Sequence, residues 1–148
     1  MRLLCDEMLR GLGRWLRAAG HDVAIAGGEP DRALLDRAAA EDRTVLTRDR
    51  QLARTAPPGA RVVLLGDNAL DDHACAVRER LGLDWQFAPF TRCLVDNTPL
   101  RLATAEEAGR APGNVGGPVR ACPACGRLYW PGSHVRRMAA RLAAWADA

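Results

Sequence analysis

The stretch LLCDEMLRGLGRWLRAAGHDVAIA, residues 3 to 26, decides the fold. Leu3 to Cys5 is a short apolar run that stops at Asp6-Glu7. Leu9 to Ala19 then repeats apolar residues at helical spacing, with Leu12, Trp15, Leu16 and Ala19 on one face. Gly20 stops that helix, and Asp22 to Ala26 is again short and apolar. Strand, helix and strand in so short a span predict parallel strands joined by a helical crossover.

The same alternation continues outward. Asp31 to Glu41 reads as a helix and Thr44 to Thr47 as a strand running into Arg48-Asp49. A Pro57-Pro58-Gly59 turn separates a short helix from the β-branched, leucine-rich strand Arg61 to Leu65, and Asn68 is placed to cap a further helix lasting to about Leu81. The expected fold class is α/β, a parallel sheet flanked by helices over residues 1 to 85, without internal repeats. From Trp85 onward prolines and glycines interrupt the chain until Ser133, which is placed to cap a helix carrying Val135, Met138, Leu142 and Trp145. Residues 86 to 148 therefore read as a second, small module that buries little surface by itself.

At 148 residues, 48% apolar and 26% charged, the chain has the composition of a globular protein with one main core. No run approaches the roughly 18 apolar residues of a membrane span, and Asp6-Glu7 comes too early for a signal peptide, so a cytoplasmic location with no membrane partner is expected. Five cysteines cannot all pair; Cys5 and Cys75 read as buried, inert thiols. All 21 basic residues are arginine, which composition bias explains as readily as phosphate binding. Their distribution is more informative: residues 1 to 119 carry 16 arginines against 17 acids, whereas residues 120 to 148 carry 5 against 1.

In parallel α/β sheets the ligand site lies beyond the carboxyl ends of the strands. Asp6 follows the first strand, Asp31 opens the helix after the second, Asp49 follows the third, and Asp67 follows the fourth through Gly66. Neighbouring carboxylates stay ionised together by sharing a cation, and oxygen ligands select Mg²⁺ or Mn²⁺. The pattern points to metal-assisted phosphodiester chemistry. Each acid also has a plainer reading: Asp31 as a helix cap, Asp67 as a turn residue, Asp49 as the partner of a flanking arginine. Asp6 fits a plain role least well. Arg10, Arg14 and Arg17 recur at helical spacing away from Leu12 and Leu16; a solvated face is the default, and phosphate contact the alternative. Gly11-Leu12-Gly13 lies inside the helical pattern and is set aside as a dinucleotide signal.

RACPACG, residues 120 to 126, has the spacing of one metal knuckle. The candidate partner is TRCLVDN, residues 91 to 97, where Cys93 is followed by Asp96 in place of a second cysteine. Cys93, Asp96, Cys122 and Cys125 make a zinc ligand set with one oxygen donor. His134 is the other candidate fourth ligand, and loss of the metal, leaving three core thiols, is the plain alternative. The reading favours retained Zn²⁺, because metal binding would stabilise a loop-rich segment.

CDEML at 5 to 9, GRWLRAAGHD at 13 to 22, LTRDR at 46 to 50, FTRCLVDNTPL at 90 to 100 and CPACGRLYWPGSHVRRM at 122 to 138, together with the helix from Asp31 to Ala38, span nearly the whole chain. In these stretches the chain resembles the Mut-seven C-terminal RNase family, PIN-like nucleases with an appended zinc ribbon. The resemblance implies an RNA hydrolase in which Asp6, Asp31 and Asp49 hold Mg²⁺ or Mn²⁺, with Arg48 beside them as a phosphate contact; Arg10 and Arg14 are candidate substrate contacts from their helical spacing. Larger PIN nucleases carry a further helix-borne acid; here Glu7 is the available substitute. The family pattern has cysteine where Asp96 stands. Arg127, Tyr129, Trp130, Arg136 and Arg137 combine cations with aromatic faces and suit single-stranded RNA, while Trp130 is also placed to anchor the ribbon.

A metal-dependent ribonuclease is the leading expectation. An RNA- or protein-binding module without turnover is the alternative, and a toxin held by an antitoxin partner a third.

Overall fold

The computed structural model describes residues 1–113 and 115–148. Four strands, β1 (Arg2–Cys5), β2 (Asp22–Ile25), β3 (Thr44–Thr47) and β4 (Val62–Leu64), form one parallel sheet in the order β2-β1-β3-β4. Leu3 pairs with Val23 on one side and Thr44 on the other, which places β1 at the centre. Helices α1 (Arg10–Ala18), α2 (Asp31–Ala40), α3 (Arg50–Thr55) and α4 (Leu70–Leu81) connect or follow the strands, with a 3-10 turn over Glu7–Leu9 before α1. The expected parallel α/β sheet is the fold observed.

Side chains alternate across a strand, so each strand feeds two cores. Leu3 and Cys5 enter a cluster with Leu12 and Leu16 of α1 and Val77 of α4. Leu4 and Val45 point the other way, against Leu34 and Leu35 of α2 and Leu52 of α3. Gly13 permits the close approach of α1 to the sheet, because a Cβ there would stand 2.9 Å from the Ile25 side chain.

Beyond α4 lie β5 (Arg101–Leu102), the short helix α5 (Ala105–Ala108), β6 (Arg120–Ala121), β7 (Leu128–Tyr129) and α6 (Ser133–Asp147). β5, β6 and β7 form a separate antiparallel sheet in chain order. α6 returns to the first core with Met138, Leu142 and Trp145, so it packs with β1, α1 and α4. Trp145 meets Trp15 edge-on at 5.0 Å between ring centroids and Trp85 at 4.8 Å, and Arg141 lies over both Trp15 and Trp145.

The ribbon is tied to the exposed edge of β2. Val23 N–H donates to Asn97 Oδ1 at 2.9 Å, and Val23 O accepts from Arg17 Nε at 2.9 Å. Arg17 Nη1 also donates to Leu94 O at 3.1 Å and Val95 O at 3.0 Å. These bonds occupy the edge groups with which another strand would otherwise pair.

Several local expectations change. Arg17 is 6% exposed rather than solvated, because its guanidinium closes the β2 edge onto the ribbon. Cys75 is half-buried, with its thiol directed at Glu79 Oε1 at 3.4 Å. Ala69, not Asn68, precedes α4, and Asp72 supplies the cap by accepting from Ala69 N. Pro30 rather than Asp31 precedes α2, and Gly132 rather than Ser133 precedes α6. Cys5 is fully buried as expected, and burial, helped by neighbouring Asp6, pushes its thiol up to about 12.

Candidate functional site

β1 lies between β2 and β3 and all three run the same way, so the residues following them share the carboxyl edge of the sheet. Asp6 leaves β1 and is 7% exposed. Its N–H donates to Leu46 O at 3.1 Å, which fixes the backbone against β3. One carboxylate oxygen accepts from Met8 N at 3.0 Å, and the other accepts from the buried hydroxyl of Thr47.

The same Thr47 hydroxyl accepts from Asp49 N at 2.9 Å. Asp49 caps α3, its Oδ1 accepting from Gln51 N at 2.8 Å and Leu52 N at 3.3 Å. A single hydroxyl therefore links the two acids. Sequence reasoning missed Thr47; a polar residue closing an apolar strand just before Arg48-Asp49 was the available signal.

Arg48 Nη2 donates to Asp67 Oδ1 at 2.7 Å, and its buried Nε has no hydrogen-bond partner among the described residues. That hydrogen bond and the adjacent guanidinium hold the exposed Asp67 carboxyl below its usual range. Arg48 therefore pairs with Asp67 rather than with its neighbour Asp49. Met8, Arg48, Asp49, Leu65, Gly66 and Asp67 line a cleft of about 360 Å³ at this edge. Asp31, half-buried, begins α2. Glu7 is exposed and its Oε2 reaches the loop after β2, 3.7 Å from where a Cβ on Gly28 would stand. Arg10 and Arg14 are exposed on α1, and Arg14 lines a different groove with Tyr129 and Trp130.

The acids are not drawn into a compact ligand cluster. Among the described residues the one group of three or more metal-ligating side chains that gathers is Cys93, Asp96, Cys122 and Cys125, whose ligand atoms all lie within 4.8 Å of one another. Cys93 Sγ is 3.7 Å from Cys125 Sγ, and Cys122 Sγ is 3.4 Å from both Asp96 oxygens. His134 lies on the exposed start of α6, outside this group.

Two similar turns build the cluster. Asn97 N–H donates to Cys93 O, and Gly126 N–H donates to Cys122 O, both at 2.9 Å. Asn97 has φ 74° and Gly126 φ 78°, left-handed values that asparagine and glycine tolerate. Desolvation would raise the Asp96 carboxyl, yet hydrogen bonds from Thr98 and the nearby thiols hold it well below the usual carboxylate range. Desolvation raises Cys93, whereas Cys125 is lowered, first by its hydrogen bond with the Arg127 backbone. Tyr129 OH lies 3.1 Å from Cys93 Sγ and accepts from Leu94 N at 3.1 Å. Tyr129, packed on the main core, joins ribbon to domain and fixes the first cysteine. Three sulfurs and one carboxylate at these separations fit a metal such as zinc.

The chain is thus a parallel α/β domain with acids at its carboxyl edge and a cysteine-rich cluster that could form a zinc site. Residues 1–142 match the Mut7-C RNAse domain family, and the chain belongs to it. Comparison with curated proteins and with solved structures gave no significant match. Among the described residues no helix is long and apolar enough to cross a membrane.

Proposed function

We propose that the protein is a metal-dependent ribonuclease working at Asp6, Asp31 and Asp49. The supporting observation is the link through Thr47, whose hydroxyl ties the Asp6 carboxylate to the backbone N–H of Asp49, a residue that lines the Arg48 cleft, in a chain of an RNase family. Their all-oxygen donor chemistry suits Mg²⁺ or Mn²⁺, and such ions commonly use one or two carboxylates with waters completing the shell, so a compact cage is not required. A bound ion would supply an activated water and offset charge on the scissile phosphodiester.

The chain's own groups have separable tasks. Thr47 holds the Asp6 carboxylate in one orientation and ties the start of α3 to it. Asp49 already satisfies two helix N–H groups, which fixes its position without side-chain freedom. Arg48 lines the cleft with its Nη2 on Asp67, and a phosphate oxygen would compete with that carboxylate for the same donor. Zinc at Cys93, Asp96, Cys122 and Cys125 would hold the ribbon in register.

The test is cleavage of single-stranded RNA across Mg²⁺, Mn²⁺ and no added metal. Asp6→Asn or Asp49→Asn should abolish cleavage while leaving the circular dichroism spectrum unchanged; undiminished cleavage by both variants refutes the assignment. A second reading, an RNA- or protein-binding module without turnover, is favoured by the dispersed acids. RNA retention with no cleavage under any divalent ion would support it.

A further inference from the structure

A small apolar pocket beside the ribbon is unused by this mechanism. It encloses about 180 Å³ and is walled by Phe90, Tyr129, Trp130, Pro131 and Val135, with Arg120 contributing the charge. Its walls are flat rings. Trp130 is held there: a Cβ on Gly132 would lie 3.1 Å from the indole Nε1, and Gly132 N–H donates to Trp130 O at 2.8 Å. Arg120 is fixed as well, because Nη1 donates to Phe90 O at 3.2 Å.

Tyr129, Trp130 and Val135 also line a neighbouring groove of about 430 Å³, into which Arg14 and Arg127 project. Aromatic walls beside a cationic groove match the two faces of single-stranded nucleic acid, a base to stack and a phosphate backbone to neutralise. The surrounding segment carries 5 arginines and 1 acid over residues 120 to 148, so the charge is complementary to a polyanion.

We infer that the Phe90–Trp130 pocket binds one base of a single-stranded RNA, guanine in preference to adenine, with the adjoining phosphates running past Arg14 and Arg127. The preference follows from Arg120. A guanidinium only donates hydrogen bonds, and guanine offers two acceptors, O6 and N7, where adenine offers N7 beside an amino donor. This rests on RNA being the ligand, as in the ribonuclease reading, but not on turnover at the acidic edge.

The experiment measures fluorescence anisotropy of two labelled probes, a short single-stranded oligoadenylate and the same strand with one internal guanosine. The full zinc-loaded chain is used without added Mg²⁺ or Mn²⁺. The guanosine probe should bind several-fold more tightly. Trp130→Ala should weaken both probes about tenfold, in keeping with the loss of one stacked base. Arg120→Gln should erase the difference between them, and Val135→Phe, which narrows the pocket without removing an aromatic wall, should reproduce the Trp130→Ala effect. Equal binding of both probes by wild type, with Trp130→Ala and Val135→Phe unchanged, overturns the inference. So does capture of a proline-rich peptide in place of either RNA. Mn²⁺-dependent cleavage with unchanged affinity in Trp130→Ala would sink the pocket and spare the nuclease; base-selective binding without cleavage would do the reverse.

Discussion

Asp96 occupies in the first ribbon turn the place that Cys125 occupies in the second. Each stands three residues after a cysteine and just before a residue with positive φ whose N–H bonds back to that cysteine's carbonyl. The two Asp96 oxygens lie 3.4 Å from Cys122 Sγ, within the span that one ion could bridge. The backbone thus brings four potential ligand groups together, with an oxygen donor in one of the four places.

Asp96→Cys should therefore raise zinc affinity, and Asp96→Ala should lower it by about tenfold or more, the range typical for disturbing a built metal site. Competition against a chromophoric chelator measures both. Removing zinc should also lower the melting temperature, since a ligand that binds only the folded chain stabilises it. Identical affinities across the three proteins would show that Asp96 is not a ligand.

Thr47→Val tests the link at the acidic edge. The substitution keeps the β-branched shape but withdraws the hydroxyl from the buried Asp6 carboxylate and from Asp49 N. Leaving such groups short of a partner costs about 1–3 kcal/mol. Urea unfolding should show that loss, and cleavage should fall in kcat more than in KM because the acids are mispositioned while the arginines remain. Unaltered stability would mean that the hydroxyl link does not matter.

The strands were legible because β1 and β3 are apolar on both faces, as central parallel strands must be, and because Asp6 and Asp49 end them abruptly. The cysteine spacing likewise marks the Cys93, Asp96, Cys122 and Cys125 group. What escaped was set by tertiary contact. Arg17 shares the spacing of Arg10 and Arg14, but only the placement of the ribbon beside β2 buries it. Thr47 reads as an ordinary strand residue until the distant Asp6 carboxylate meets its hydroxyl. Asp31, by contrast, is placed at the carboxyl edge by strand order alone, and it follows the Gly27-Gly28 loop, whose path a local pattern does not specify.

Asp22 contributes to the acid sensitivity of the domain. It receives Arg2 at 2.8 Å, Arg43 at 2.9 Å and Asn97 Nδ2 at 2.7 Å. Desolvation opposes ionisation, but the Asn97 and Arg43 hydrogen bonds outweigh it and hold the carboxyl below its ordinary value. The unfolded chain then takes up the proton more readily, so the stabilisation is present above the ordinary carboxylate range and is lost as pH falls through the lower folded value. Urea midpoints measured down an acid series should drop steeply in wild type and less steeply in Asp22→Asn. Parallel curves would remove Asp22 from the account.

Asp67 and Arg48 make the last test. The pair is exposed on the Asp67 side, with side-chain exposures of 80% for Asp67 and 32% for Arg48, and solvent screening leaves such a contact little weight in folding. Its position matters more, because Asp67 occupies the arginine donor that a phosphate would use at the mouth of the cleft. Asp67→Asn should leave the melting temperature unchanged and tighten RNA binding in the absence of Mn²⁺, with a steeper dependence on salt as Arg48 engages the backbone. Arg48→Gln should weaken binding and make the Asp67 substitution silent. If Asp67→Asn instead weakens binding, or still tightens it without Arg48, the carboxylate acts on something other than this arginine.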